Sequence, residues 1–149
     1  MGWDYDALAG DASYHLALGW GGRLVSALDA FGALDWSADP PPAPAAVWEE
    51  RDEDDTWPFE SELDDDVLAY YGFSSSRPGK VPGLKLGDNS LWLVTAEESR
   101  LLADLIEAAA EPALIEQLAP DYPATLATVL DDFRDFCRAA AGQGGFWAY

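Results

Sequence analysis

Eighteen consecutive residues, Glu49–Asp66, carry eleven carboxylates and one basic side chain, and this acidic–aromatic segment constrains the fold more than any other feature. Self-repulsion makes such a run costly to fold unless solvent, salt or a partner offsets it. About half of the formal net charge of −20 lies here. The sequence predicts a single domain over residues 1–149, with residues 39–66 as a connecting segment that is first proline-rich and then acidic–aromatic.

The rest of the composition favours a folded, soluble protein. The chain has 149 residues, of which 49% are hydrophobic, so it is long enough and apolar enough to bury a core. Its charge repels nucleic acid phosphates and anionic lipid surfaces, so we expect no direct nucleic-acid or membrane partner. The start lacks a signal-peptide pattern, and one cysteine forms no internal disulfide, which favours a cytoplasmic location.

Hydrophobic periodicity predicts mainly helices in the first half of the chain. The N-terminal third is interpreted as helical, with a short helix within Ala12–Leu18 and a longer one over Trp20–Leu34. Ser61 is expected to cap a helix that runs to about Tyr71. Residues 72–89 are rich in glycine, serine and proline, and we expect a loop there with a short strand near Gly83–Leu86.

The second half contains the clearest local signals. Leu91–Val94 is the best strand candidate, and it leads into a capping box in which Thr95 and Glu98 exchange hydrogen bonds. A short helix over residues 113–118 and a long one over residues 124–141 follow. The apolar tail, residues 145–149, either adds a strand beside Leu91–Val94 or packs on the helices. The predicted fold class is α+β, a helix-dominated domain with a minimal β-sheet.

Catalytic and metal chemistry find little support in the residue types present. His15 is the single histidine and Cys137 the single cysteine, which excludes a Cys/His zinc site. Cys137 lies on the apolar stripe of the last helix and is interpreted as a buried hydrophobe, and His15 as a packing or capping residue of an N-terminal helix. No catalytic residue, metal ligand or cofactor is predicted.

The acidic–aromatic segment has the composition of a protein interface. Aromatic side chains surrounded by charge are typical of interface hot spots, and the charge steers a basic partner. Alternatively, the same aromatic side chains simply fasten a solvated acidic loop to the core. The predicted partner-binding residues are Trp48, Asp52, Glu53, Asp54, Asp55, Trp57, Phe59, Glu60 and Glu62.

These observations favour a module that inhibits or neutralises a basic protein partner. Its concrete form is an immunity or antitoxin-type inhibitor of a nuclease-like toxin, or a nucleic-acid mimic, because nuclease sites hold phosphates with lysine and arginine. Two alternatives stay open. One is an accessory or structural subunit whose acidity serves solubility, and the other is a small enzyme that acts through aspartate or glutamate. The sequence leaves the oligomeric state undetermined.

Overall fold

The computed structural model describes residues 2–17, 19–45, 47, 65–88 and 90–149, and it confirms the predicted α+β class. Helices dominate these residues, and the strands form one small antiparallel sheet and one two-stranded parallel pair. The helices are α1 (Trp20–Ala30), α2 (Asp65–Tyr71), α3 (Leu84–Gly87), α4 (Ala96–Ala109), α5 (Pro112–Leu118) and α6 (Pro123–Ala141). The strands are β1 (Gly2–Ala7), β2 (Ser13–Ala17), β3 (Leu34–Asp35), β4 (Val81–Pro82), β5 (Trp92–Val94) and β6 (Phe146–Ala148).

The main sheet has the strand order β2-β1-β6-β5, with every neighbouring pair antiparallel. The tail therefore forms a strand beside β5, which confirms the first of the two predicted arrangements: Leu93 lies opposite Trp147 and Val94 opposite Phe146. Because β6 also pairs with β1, the two ends of the described chain meet in the middle of the sheet.

The prediction of a short helix within Ala12–Leu18 is wrong. Residues 13–17 form β2, paired with β1 through five residue pairs from Gly2–Ala17 to Asp6–Ser13. Alternation explains the difference, since Tyr5 and Ala7 of β1 are buried while Asp4 and Asp6, which alternate with them, lie on the opposite face. His15 consequently lies on a strand rather than in a helix, where its Nδ1 is 2.6 Å from Oδ1 of Asp4.

The core contains two apolar clusters on the two faces of the sheet. Phe146 and Ala148 of β6 join the main cluster, whereas Trp147 between them joins the second. The main cluster includes the predicted stripe of α6, all of which is buried: Leu126, Val129, Leu130, Phe133, Phe136, Cys137 and Ala140. Burial raises the pKa of the Cys137 thiol well above its ordinary value, which agrees with its predicted role as a buried hydrophobe.

Residues 72–88, which follow α2, contain several of the polar side chains described below. The strand predicted near Gly83–Leu86 is wrong, since Gly83 has helical backbone angles and its carbonyl accepts the N–H of Gly87, which closes the single turn of α3. The short strand precedes this turn as β4 and pairs in parallel with β3. Among the described residues, no helix combines the length and the apolar composition needed to cross a bilayer.

Candidate functional site: the Trp36 surface

All nine residues of the predicted acidic–aromatic site lie outside the described residues, so that site stays a prediction. They are Trp48, Asp52, Glu53, Asp54, Asp55, Trp57, Phe59, Glu60 and Glu62. Of the segment itself, the structure describes Asp65 and Asp66, which are exposed in the first turn of α2. Both carboxylates occupy the end of a helix at which the helix dipole favours negative charge.

Besides Tyr122, the exposed large hydrophobic side chain of the described residues is that of Trp36. This side chain is 54% exposed, although it directly follows the fully buried strand β3. Its indole Nε1 donates a hydrogen bond of 2.9 Å to Oδ1 of Asp29, near the end of α1. The ring is therefore held in one orientation at the surface, at the start of the proline-rich residues that lead to the acidic–aromatic segment.

Two glycines of the α3 turn provide the support for the indole. A Cβ atom added at Gly83 would lie 2.5 Å from Cε3 of Trp36, and one added at Gly87 would lie 2.7 Å from Cη2. Any larger residue at either position would displace the ring, because the indole packs directly against the backbone at these two glycines. We define the Trp36 surface as Trp36, Asp29, Gly83 and Gly87.

A buried carboxylate fixes the backbone next to the indole. Asp35 is 1% exposed, and its Oδ1 accepts hydrogen bonds from Ser37 N–H at 3.0 Å and Ser37 Oγ at 2.6 Å. Its Oδ2 accepts from Ser75 Oγ, and Nη1 of Arg77 lies 3.7 Å from Oδ1. The Ser37 and Ser75 hydroxyls, with a smaller contribution from Arg77, lower the pKa of Asp35 to about 2. The carboxylate is thus ionised near neutral pH and ties residues 35–37 to the loop after α2.

We expect the stabilising effect of Asp35 to disappear in acid. Because its pKa in the folded state is about 2, below the ordinary value of 3.8, its contribution is complete above pH 3.8 and is lost as the pH falls towards 2. The difference in unfolding free energy between the wild type and Asp35→Asn, measured by denaturant titration, should therefore be constant above this range and shrink within it. Ser75→Ala should raise the folded-state pKa of Asp35 towards 3.8, so less stability is lost in acid and the loss ends at a higher pH. A difference that is independent of pH would contradict the assignment.

A buried ion pair joins α3 to α4. The side chain of Lys85 is fully buried, and its Nζ is 2.6 Å from Oε1 of Glu98. The same Oε1 accepts the N–H of Thr95 at 3.0 Å, while Thr95 Oγ1 accepts the N–H of Glu98 at 3.2 Å, which confirms the predicted capping box. Burial lowers the pKa of Lys85, and Glu98 opposes that shift. Glu98 therefore joins the start of α4 to the turn that supports Trp36.

The arrangement at Trp36 suits a cationic side chain of a partner. An indole face attracts ammonium and guanidinium groups, and the hydrogen bond to Asp29 places a negative charge at the edge of the ring. The aromatic residues Trp20 and Tyr122 provide a contrast, because a cation of the same chain already lies near them. Cζ of Arg23 is 5.0 Å from the ring centroid of Trp20 and 5.8 Å from that of Tyr122. Within the described residues, no cation lies over the ring of Trp36.

Comparison with known proteins gives no match: no protein family, curated protein or solved structure resembles the chain significantly. Among the described residues, no group of three or more histidine, cysteine, aspartate or glutamate side chains is arranged to hold a metal ion.

Proposed function

We propose that this protein is an acidic protein-binding module of the cytoplasm that inhibits or neutralises a basic protein partner. Its concrete form is an immunity or antitoxin-type inhibitor of a nuclease-like toxin, with a nucleic-acid mimic as the variant that depends on the same electrostatics. A basic phosphate-binding surface would be covered by carboxylates and aromatic side chains instead of by its nucleic acid.

The single observation that carries the proposal is the exposed indole of Trp36, seated on α3 and bonded to Asp29, in a chain of net charge −20. Interface hot spots are enriched in tryptophan, and a side chain already held in one orientation loses little entropy on binding. The charge supports the proposal separately, since it raises the association rate with a basic partner and repels acidic ones.

The proposal is tested by affinity capture from cells of the native organism. The wild type is expected to retain a basic protein in low salt and to lose it progressively as the ionic strength rises. A variant in which Asp52, Glu53, Asp54 and Asp55 are replaced by their amides should bind the same protein at least about tenfold more weakly. Each substitution removes a negative charge that attracts the basic partner. A captured partner that is acidic, or nanomolar binding that is indifferent to salt, would refute the electrostatic proposal.

The alternative of an enzyme acting through paired carboxylates receives less support from the described residues. Such an enzyme needs carboxylates that converge in a cavity with displaced pKa values. The pKa of Asp35 is displaced downwards, but this side chain is buried among its own hydrogen-bond donors and is not among the residues that line the cavity at Asp6 or the one at Ser75. Its lowered pKa also makes it a weak general base near neutral pH.

A further inference from the structure

Strand β2 forms one edge of the main sheet, and the hydrogen-bond pattern fixes which of its backbone groups point outward. Asp4 of β1 exchanges two backbone hydrogen bonds with Tyr149, at 2.8 and 3.0 Å, so its N–H and C=O point away from β2. The pair Asp4–His15 is therefore of the non-hydrogen-bonded type, and the N–H and C=O of His15 point away from the sheet. The same alternation directs those of Ser13 outward. Within the described part of the chain, no hydrogen bond reaches these four groups.

As far as the described residues show, this edge lacks several of the devices that usually protect an exposed strand. Natural sheets block their edges with lysine, proline or a bulge, or cover them with another element. Ser13–Ala17 contains neither lysine nor proline, and it pairs with β1 in an unbroken register. Two copies of the chain would bring two charges of −20 together, so electrostatic repulsion opposes pairing of β2 with itself. The occupant that the charge favours is a basic segment from another protein.

A cavity of about 450 Å³ lies beside the same edge, and acidic side chains line it. Asp6 lies in it, flanked in the sheet by Ser13 of β2 and Trp147 of β6. Asp11 lines it from the hairpin turn, and the hydroxyl of Tyr149 lines it while donating a hydrogen bond to Oδ2 of Asp6. The charged side chains among its lining residues are thus carboxylates, and the aromatic ones are those of Trp147 and Tyr149. This combination suits an ammonium or guanidinium group.

The edge and the cavity can be used by one ligand. A strand added beside β2 lies about 4.8 Å from it, and a side chain opposite Ser13 projects from the same face as Asp6. The long stem of lysine or arginine then extends past the small side chain of Ser13 towards Asp6 on the next strand. A shorter side chain at that position would not reach the carboxylates of Asp6 and Asp11, and an acidic one would be repelled by them.

We propose that the β2 edge and this cavity bind an extended basic segment of the partner, which adds a strand beside Ser13–Ala17 and places a lysine or arginine side chain against Asp6 and Asp11. The basic character of the partner rests on the function proposed above, whereas the added strand rests on the backbone geometry of β2. Backbone hydrogen bonds supply binding that is independent of side chains, and the cavity selects for positive charge.

The probe for this site is the peptide Thr-Lys-Thr-Lys-Thr-Lys-Thr, with Thr-Glu-Thr-Glu-Thr-Glu-Thr as its charge-reversed control. In the ¹⁵N-labelled protein, a saturating amount of the lysine peptide should slow amide hydrogen exchange at Ser13 and His15 by about tenfold or more. Exchange at Tyr14 and Leu16, whose N–H groups face β1, should change little. The glutamate peptide should leave all four amides unchanged.

Two pairs of variants separate the backbone contribution from the charge contribution. His15→Pro removes the outward N–H without removing a bond to β1, and His15→Ala removes the same imidazole while keeping that N–H. The lysine peptide should therefore bind the proline variant about tenfold more weakly than the alanine variant. Asp11→Asn should weaken binding severalfold, whereas Asp121→Asn, an exposed acid outside this cavity, should change it less than twofold.

Equal binding of the two peptides, unchanged exchange at Ser13 and His15, or equal affinities of the two His15 variants would overturn the inference. So would a dimer in light scattering that His15→Pro abolishes, because a second copy would then occupy the edge. Capture of a basic partner that binds His15→Pro and His15→Ala equally would leave the proposed function intact and refute this site. Peptide-dependent protection of Ser13 and His15 without any captured basic protein would support the site and refute the function.

Discussion

Replacing Glu98 with glutamine is expected to lower the free energy of unfolding by about 3 kcal/mol, as for other buried ion pairs that lose one partner. The ammonium group of Lys85 is fully buried and 2.6 Å from Oε1 of Glu98, so the substitution leaves a positive charge in the interior without its counter-charge. The glutamine oxygen can still accept the N–H of Thr95, which largely preserves the helix cap. Urea titration followed by circular dichroism measures the loss.

The neighbouring Glu97 provides the matched control for this substitution. It lies in the same first turn of α4 and is exposed, so Glu97→Gln changes the same charge at the same helix end without affecting a buried partner. Its effect should stay within about 0.5 kcal/mol. The double variant Lys85→Met/Glu98→Gln should recover much of the loss, because an apolar side chain replaces the isolated charge. If the two substitutions simply added, the pair would not be coupled as described.

The parts of the fold that the sequence predicted correctly depend on neighbouring residues. The capping box needs only residues 95–98, and the stripe of α6 needs only the helical period within residues 126–140. The tail strand was one of two alternatives, because pairing between residues 92–94 and 146–148 joins segments that are distant in the sequence. Choosing between them required the tertiary structure.

The incorrect and missed predictions also concern contacts between residues that are distant in the sequence. A five-residue strand such as β2 gives a periodic signal too short to separate it from one helical turn, and its pairing with β1 decides its structure. The Trp36 surface joins three separate parts of the chain: Asp29 in α1, Trp36 after β3, and the glycines of α3. In the sequence, nothing marks Trp36 apart from the other six tryptophans. The Lys85–Glu98 pair was missed equally, since lysine in a polar loop is ordinarily exposed.

Substituting alanine for Trp36 is expected to weaken binding of the basic partner about thirtyfold or more, which corresponds to a hot-spot loss of about 2 kcal/mol or more. The indole contributes less to folding than to binding, because it is 54% exposed and rests on glycines rather than in the core. The unfolding free energy should fall by about 1 kcal/mol or less. Isothermal titration calorimetry and denaturant titration of the same preparations measure the two quantities.

Tyr122→Ala is the matched control, because Tyr122 is a similarly exposed aromatic residue, at 57%, whose ring already lies near Arg23 of the same chain. It should change the affinity less than twofold. Salt dependence then separates anchoring from steering: Trp36→Ala should lower the affinity at every ionic strength and leave the slope against salt nearly unchanged. Neutralising Asp52, Glu53, Asp54 and Asp55 should instead flatten that slope. If Trp36→Ala flattened the slope, or if Tyr122→Ala weakened binding equally, Trp36 would not be the uncharged anchor of the interface.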